Sequence, residues 1–519
     1  MQRTQRVVKE CRLTHLPQLG RALLFSLVFA YSRSMSQLAR NTLMLTAASI
    51  GQKLIAFLYF ALIARTIGDE ATGSYFIALA MVTTIGVLDD VGLTSVTIRE
   101  VAKGPEKAKE LIRNVIGIKL ITMPITIFLA LGLTAWRGFD AETTGLVQLA
   151  IVVMLLDTIS VSMYGVMRGL HKLKFESLGI FIGQTFTTIV GVIALFSGST
   201  DLRLLVIALI VGSGWNMLFS IFQVVRHLGV GALQPSWSQA LPMLRMSFMF
   251  FLAAVFVKVY SYIDSFTIEE FLGKGAVGIY AVAYKFTYAF QFLPLAFVGA
   301  LYPAMSSLAD NPTELNKTLL KAEWYLSMLA APIVFGIFAL APEIIDFFYG
   351  IEYVESGPVL GVLIFVLLFI FLDFPVGSLL NATGRQAVKT GLMGGAMVIN
   401  VTGNLILVPQ YGIMGAAIAA LFTFVFLFGG GWLAVMKITG ARLGDLVRET
   451  GGFFAAGAAM AIVVVVLKGY VYWMFTIPVG ALVFIGLSFA TKTLTVAHLR
   501  EARNLIRRPK YAKDPVADN

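Results

Sequence analysis

Uninterrupted apolar runs alternate with short polar connections along almost the whole chain. Many of these runs reach about 18 residues or more, which is enough for a helix to cross about 30 Å of hydrocarbon. Their apolar positions are consecutive rather than alternating, so the runs predict transmembrane helices and not the strands of a barrel. Fourteen spans are predicted, at 42–64, 74–97, 114–136, 146–168, 176–197, 203–225, 243–267, 276–304, 324–348, 358–382, 388–408, 412–436, 451–468 and 472–491.

Positive charge is concentrated in every second connection between the predicted spans. One side of the membrane has 31 Lys and Arg residues and the other has five. Because Lys and Arg accumulate in cytoplasmic loops, this bias predicts that both termini lie in the cytoplasm. The net charge of +11 therefore reflects membrane topology, and a nucleic-acid partner is not expected.

One stretch of the chain recurs after 205 residues. GDEATGSYFIA at 68–78 aligns without a gap with GKGAVGIYAVA at 273–283, and Lys53 aligns with Lys258. Seven of the 26 positions from Lys53 to Ala78 are identical, where unrelated sequences would share about two. In each copy a lysine-bearing apolar segment ends at a glycine-rich turn and re-enters as a second apolar segment. The repeat predicts two lobes that move against each other around a shared site.

The predicted fold is an all-α integral membrane protein with two pseudo-symmetric six-helix lobes. Its parts are a basic cytoplasmic N-terminal segment (1–41), an N-terminal lobe (42–229), a connection (230–240), a C-terminal lobe (241–438), two additional transmembrane helices (439–492) and a basic cytoplasmic tail (493–519). The short apolar run within 1–41 fits an interfacial helix better than a signal peptide, because the charge bias requires this end in the cytoplasm. Cys11 is the only cysteine, which excludes an intramolecular disulfide.

Three lysines lie deep within predicted spans, where an ionisable side chain costs at least about 2.5–3.5 kcal/mol. Lys53 is eleven residues, or roughly 16 Å, from either end of its span, and a side chain that reaches about 6 Å cannot bring its charge to water. Lys258 is its repeat mate, and Lys285 lies within the eighth span. These lysines either line a cavity that binds an anionic ligand or pair with buried carboxylates.

Among the acids within the spans, five aspartates are candidates: Asp89, Asp90, Asp157, Asp264 and Asp373. Asp157 and Asp373 occupy corresponding spans of the two lobes, and a buried carboxylate can carry a proton because desolvation favours its neutral form. These two either couple transport to protons or form ion pairs that hold helices together. Asp264, near an outer end, and Asp89 and Asp90, near a cytoplasmic end, are further candidates for coupling or gating, with a structural role as the alternative.

Tyr280, Tyr284 and Tyr288 recur at every fourth position of the eighth span and so share one helix face. Such a stripe either stacks against sugar rings or packs against neighbouring helices.

Several chemistries are excluded or unsupported by the sequence. There is no G-x-x-x-x-G-K-[ST] sequence, so ATP hydrolysis by a P-loop is excluded. The four histidines are scattered through predicted tails and loops, so no metal cluster is indicated, and no nucleophile–histidine–acid set can be proposed. The sequence therefore predicts a secondary-type transporter without a cofactor rather than an enzyme.

From about Arg40 to Lys492 the chain resembles the oligosaccharide-lipid flippases of polysaccharide biosynthesis, in the superfamily that also contains the MATE exporters. The resemblance is carried by RNTLMLTAASIGQKLIAFLYFALIARTIGDEATGSYFIALA at 40–80, by IREVAKG at 98–104 and by PQYGIMGAAIA at 409–419. It implies two six-helix bundles around a central cavity, followed by two further helices.

The resemblance also implies a function, namely movement of undecaprenyl-diphosphate-linked glycans across the plasma membrane by alternating access. Lys53, Lys258 and Lys285 would attract the diphosphate, and polymerase or glycosyltransferase machinery would be expected as partners. MATE exporters of cationic drugs are expected to carry an acid in the cavity of the N-terminal bundle, where the first span here has Lys53. Asp157 keeps a MATE-like antiporter of drugs or metabolites open as an alternative, and a non-transporting scaffold of envelope assembly is a third.

Overall fold

The computed structural model of the protein describes residues 37–198, 201–498 and 500. Every regular element in this part of the chain is a helix. The α-helices are α1 (Gln37–Ile85), α2 (Val87–Asp90), α3 (Leu93–Lys103), α4 (Ala108–Arg137), α5 (Ala141–Gly169), α6 (Leu173–Phe196), α7 (Arg203–Leu228), α8 (Ala240–Leu272), α9 (Lys274–Ala289), α10 (Phe292–Ser306), α11 (Pro312–Tyr349), α12 (Ser356–Ala382), α13 (Gln386–Tyr411), α14 (Ile413–Thr439), α15 (Leu443–Leu467) and α16 (Trp473–Ala490). Short 3-10 turns lie at Pro105–Lys107, Val230–Leu233 and Ile351–Tyr353.

Residues 48–496 form one compact unit, which contains every site considered below. Within the other unit the described residues include 37–47, which are helical. Residues 1–36 and 501–519, which make up most of the basic segments predicted at the two ends of the chain, lie outside the described part.

Twelve helical segments in the described chain are long and apolar enough to cross a membrane, so the predicted all-α, multi-pass membrane architecture is confirmed. The sequence predicted fourteen spans, and the two counts differ at two places. Predicted spans 42–64 and 74–97 overlap one continuous segment, Ile50–Asp90, in which the non-helical backbone of Gly68 divides α1 into two helical parts. Predicted span 276–304 is divided between α9, with 16 residues, and α10, with 15, and each is too short to be counted alone.

The two copies of the repeat have the same backbone geometry at their turns. Gly68 has φ 80° and ψ 176°, and Gly273, which is 205 positions later, has φ 85° and ψ 179°. Glycine adopts this conformation without strain because it has no Cβ. Each glycine lets the chain leave one long helix and enter the next at the end of the molecule that the charge count assigns to the outer side, which we call the outer end.

The two turns cross each other at close range and by equivalent contacts. A Cβ added at Gly73 would lie 1.9 Å from the carbonyl oxygen of Lys274, and one added at Gly278 would lie 1.9 Å from that of Asp69. Gly73 and Gly278, like Asp69 and Lys274, are 205 positions apart. Such exchanged contacts are the signature of a two-fold relation, and they support the repeat seen in the sequence.

The remaining helices pack in two groups. In the N-terminal half, residues 48–229, α5 and α6 both pack along α7. In the C-terminal half, residues 240–439, α12 packs along α11 and α14, and α13 packs along α8 and α14. The two last helices continue the second group, because α15 packs along α11 and α16 packs against α15.

The helical path is interrupted once more beside the boundary between the halves. Between α1 and α3 the single-turn helix α2 is followed by Val91, with φ 45°, and Gly92, with φ 74°. A positive φ is unusual for a β-branched residue, so this short segment is held in place by its surroundings. The break brings two adjacent aspartates, Asp89 and Asp90, to the point where the helix direction changes.

Candidate functional site

A cavity of about 520 Å³, lined mostly by apolar residues together with several charged and polar side chains, lies between the two halves. Its walls come from the second part of α1 and from α2, α5 and α7 on one side, and from α8 and α9 on the other. The polar residues that line it are Thr83, Asp90, Asp157, Thr158, Lys258, Tyr262 and Lys285. Ala80 and Lys285 both line the cavity and are related by the 205-residue repeat, so equivalent parts of the two copies face the same space.

Two of the three predicted lysines lie in this cavity. Lys285 Nζ is 5.4 Å from the ring centres of both Phe60 and Phe76, and Lys258 Nζ is 5.6 Å from the ring of Tyr262. The ion pairs of the described residues include neither lysine. Aromatic faces stabilise an ammonium group by about 0.5–2 kcal/mol without neutralising it. The two charges therefore remain available to an anion.

The third lysine, Lys53, lies beside the cavity rather than among the residues that line it. Its side chain is exposed, and it shares one face of α1 with Phe57 and Phe60. Phe57 packs edge-on against Phe286 of α9, with the ring centres 5.3 Å apart. Lys53 consequently lies on the side of α1 that faces α9.

Two of the five predicted aspartates line the cavity, and both come from the N-terminal half. The side chain of Asp157 on α5 is exposed. Asp90, at the end of α2, accepts a hydrogen bond from Thr94. Within the described chain, neither carboxylate lies within salt-bridge distance of a lysine or arginine. The cavity thus has acidic groups on one wall and basic groups on the opposite wall.

The neighbouring aspartate, Asp89, points away from the cavity into the N-terminal half. It is completely buried, and its carboxylate is 2.5 Å from Lys119 Nζ on α4 and accepts a hydrogen bond of 2.8 Å from Thr122. Thr122 also donates to the main-chain carbonyl of Asp89. This group ties the break in the helix path to α4.

The other two aspartates are bonded within the C-terminal half. Asp373 on α12 receives both of its hydrogen bonds, at 2.6 and 2.7 Å, from Lys389 on α13. Asp264 on α8 is buried and accepts a hydrogen bond of 2.6 Å from the hydroxyl of Tyr280 on α9. Both carboxylates therefore connect neighbouring helices, and neither is among the residues that line the cavity.

The tyrosine stripe of α9 faces the packed interior of the C-terminal half. Tyr280 is fully buried, Tyr284 is 9% exposed, and the rings of Tyr284 and Tyr288 are 4.3 Å apart. None of the three lines the cavity. The aromatic side chains that do so are Phe76 and Tyr262, and the ring of Tyr262 is tilted against that of Tyr284.

Sequence reasoning did not single out Lys119, Lys389 or Glu323. The first two were detectable, because each is a lysine within or beside a predicted span. Glu323 on α11 lies just before a predicted span and is completely buried, and neither of its carboxylate oxygens has a hydrogen-bond partner in the described chain. Among the described residues, no three His, Cys, Asp or Glu side chains converge as ligands for a metal ion.

Ion pairs join the two halves at the outer end. Arg137, the last residue of α4, pairs with Glu269 and, at 3.0 Å, with Glu270 of α8. Lys274, the first residue of α9, is 2.5 Å from Asp140 just before α5. Partial burial opposes the ionisation of Asp140, but hydrogen bonds from Lys274 and Thr143 hold the pKa of its carboxyl below the ordinary value.

Main-chain contacts reinforce this junction. The hydroxyl of Tyr353, which precedes α12, donates a hydrogen bond of 3.0 Å to the carbonyl of Ala64 in α1 and lies 3.0 Å from Thr72 Oγ1. Arg65 donates to the carbonyl of Phe347 at 3.0 Å. Together with the crossing at Gly73 and Gly278, these contacts close the outer end of the boundary between the halves.

An all-helical membrane architecture with two repeat-related halves and a charged cavity between them defines a membrane transport protein. The model of the family described as "Polysaccharide biosynthesis protein" matches residues 38–309, which is more than half of the chain, and the MatE model matches residues 250–406. The chain belongs to the polysaccharide biosynthesis protein family. The resemblance inferred from the sequence is thereby confirmed.

Curated relatives and solved structures agree with this assignment. The probable low-salt glycan biosynthesis flippase Agl15 of Haloferax volcanii is 23% identical over 75% of this chain and 81% of its own length. The putative O-antigen transporter of Shigella flexneri is 22% identical over 70% of this chain and 90% of its own. The lipid II flippase MurJ in an inward closed conformation has the same fold, with a TM-score of 0.71 at 16% identity over 86% of this chain and 98% of that one.

Proposed function

We propose that this protein moves a lipid-linked anionic oligosaccharide, of the undecaprenyl-diphosphate type, from the cytoplasmic to the outer leaflet of the plasma membrane for polysaccharide biosynthesis. The observation that carries the proposal is a cavity between the halves that contains Lys258 and Lys285 without a carboxylate partner. Relatives described as a glycan biosynthesis flippase and an O-antigen transporter support the same substrate class.

The physical argument concerns the diphosphate. Moving an isolated ionised group from water into hydrocarbon costs tens of kcal/mol, so the headgroup of such a lipid does not cross a bilayer unaided. Hydrogen bonds to charged groups are worth about 1.5–3 kcal/mol each, and the two lysines in the cavity replace part of the lost hydration. Lys53, exposed beside the cavity and facing α9, would attract the headgroup on its way in. The hydrocarbon tail would stay in the bilayer throughout.

We propose that transport proceeds by alternating access, with fourteen membrane crossings and both termini in the cytoplasm. The excess of Lys and Arg on one side supports this topology. The ion pairs Arg137–Glu270 and Lys274–Asp140 at the outer end support a state closed to the outside. Opening would separate these pairs, while the two-fold related halves turn about the cavity. Polymerase or glycosyltransferase machinery would then use the glycan on the outer leaflet.

The test replaces single charges and measures glycan export. Lys285→Ala and Lys258→Ala are each expected to lower export by roughly ten-fold or more, because each removes a charged hydrogen bond to phosphate. Lys437→Ala, at an exposed position near the end of α14, is the matched control and should export as the wild type does. Export at the wild-type level in both cavity variants, at equal amounts of protein in the membrane, would contradict the proposal.

A second candidate function is ion-coupled antiport of drugs or metabolites. Asp157 in the cavity and the match of the MatE model to residues 250–406 favour it. The gene should be placed both in a strain that lacks its glycan exporter and in a drug-sensitive strain. Rescue of glycan export alone supports the flippase, whereas drug resistance alone supports the antiporter.

A further inference from the structure

Opposite charges face each other across the cavity but do not pair. Lys258 and Lys285 belong to α8 and α9 of the C-terminal half, and Asp90 and Asp157 belong to α2 and α5 of the N-terminal half. In the described chain no nitrogen of these lysines comes within 4.0 Å of either carboxylate. The charges are fixed on separate rigid helices, so the gap between the two walls is available to a ligand.

The wall that carries Asp90 and Asp157, which we call the aspartate wall, has hydroxyl groups rather than positive charges beside its carboxylates. Thr158 follows Asp157 along α5, and Thr83 lines the cavity from α1. This wall thus combines carboxylates, which accept hydrogen bonds strongly, with hydroxyls, which both donate and accept. A group that presents several hydroxyls is the complement of such a wall, and the apolar neighbours Leu79 and Val161 leave room for the carbon face of a ring.

Resting on the function proposed above, we infer that the ligand spans the cavity, with its diphosphate on the lysine wall and the hydroxyls of its first sugar on the aspartate wall. Asp157 is then a specificity-determining residue that accepts hydrogen bonds from a sugar. A volume of about 520 Å³ is that of a small-molecule pocket, so it suits the diphosphate with the sugar next to it rather than a long glycan. The remainder of the glycan would extend outside the cavity.

Two substitutions separate the hydrogen-bonding capacity of the Asp157 side chain from its charge. Asp157→Asn keeps an accepting oxygen of the same shape but cannot carry a proton or a full charge. Asp157→Leu keeps the size but removes the oxygen. Because a neutral hydrogen bond is weaker than a charged one, we expect export of the natural glycan to fall about five-fold in Asp157→Asn and at least about 30-fold in Asp157→Leu.

A second measurement isolates the lysine wall. Binding of a polyprenyl diphosphate without sugar, to purified protein in nanodiscs, is expected to change less than about two-fold in Asp157→Leu and to weaken at least about ten-fold in Lys258→Ala. Asp310→Leu, at an exposed position between α10 and α11, is the control for both measurements.

Three results would overturn the inference. Equal loss of export in Asp157→Asn and Asp157→Leu would mean that the charge or a proton is required and not hydrogen bonding to a sugar. Wild-type export in both would remove Asp157 from the site. Loss of polyprenyl diphosphate binding in Asp157→Leu would mean that Asp157 is needed at the diphosphate end of the ligand and is not a sugar-specific contact. By contrast, a wild-type protein that binds no polyprenyl diphosphate would refute the proposed function itself.

Discussion

Breaking the buried pair between Asp89 and Lys119 is expected to destabilise the N-terminal half. Their side chains are 0% and 6% exposed, and their charged atoms are 2.5 Å apart. In Lys119→Met the carboxylate would stay buried with Thr122 as its remaining side-chain donor, at 2.8 Å. Removing one partner of a buried ion pair costs about 3–5 kcal/mol, because the other charge is left without compensation.

This cost can be translated into a melting temperature. With an unfolding entropy of about 2.1 cal/mol/K for each residue, the melting temperature of a chain of 519 residues falls by about 1 °C for each kcal/mol lost from its free energy of unfolding. The midpoint of Lys119→Met should therefore fall by about 3–5 °C. The assay heats purified protein in detergent and measures the fraction that remains monodisperse by size-exclusion chromatography, with the exposed Lys437→Met as a control.

A double variant makes the test independent of the absolute change in melting temperature. Asp89→Asn combined with Lys119→Met removes both charges, and replacing both partners of a buried pair is often close to neutral. The double variant should thus recover most of the stability lost in Lys119→Met. The reasoning fails if Lys119→Met melts within about 1 °C of the wild type, or if the two substitutions destabilise additively.

Three further outcomes follow from the structure. Gly278→Ala should impair folding or membrane insertion, because the new Cβ would lie 1.9 Å from a main-chain carbonyl oxygen of α1. Gly132→Ala, whose Cβ would have nothing within 4 Å, should be tolerated, and the yield of folded protein distinguishes the two variants. Because the pKa of Asp140 is held below its ordinary value, its pair with Lys274 stabilises the outer junction at any pH above the ordinary pKa, and this stabilisation is lost as the pH falls through the lowered pKa. Chemical labelling of residues at the outer end should therefore increase at acid pH, and Lys274→Ala should abolish this dependence on pH. Glu323→Gln should have a melting temperature no lower than that of the wild type, because a completely buried carboxyl without hydrogen-bond partners in the described chain is best accommodated in a neutral form. A clearly lower melting temperature would show that the charge of Glu323 is needed.

The sequence was most informative where a single local property decides the structure. Long apolar runs predicted the membrane helices, because a lipid-exposed backbone has to satisfy its own hydrogen bonds within a helix. The predicted and observed numbers of spans differ at Gly68 and at the division of α9 from α10, where the chain bends or breaks inside one apolar stretch. Hydropathy does not record such local changes of backbone direction.

The sequence predicted which types of residue form the candidate site, but it predicted only in part which of the individual residues line the cavity. Depth within a span selected Lys258, Lys285 and Asp157, which the structure brings into one cavity. Position within a span also selected Asp89 and Asp373, which have buried lysine partners on neighbouring helices. Depth alone cannot separate these cases, because it ignores the direction in which a side chain leaves its helix.

The sequence by itself therefore determined that the chain is a helical membrane protein of a polysaccharide biosynthesis family, with an internal repeat and ionisable groups inside its spans. These features depend on composition and on local order along the chain, which folding does not alter. Only the tertiary structure decided which charges neutralise one another and which remain free in the cavity. That distinction depends on the rotation of each helix about its axis and on the neighbours it meets, and both are set by packing between segments far apart in the sequence.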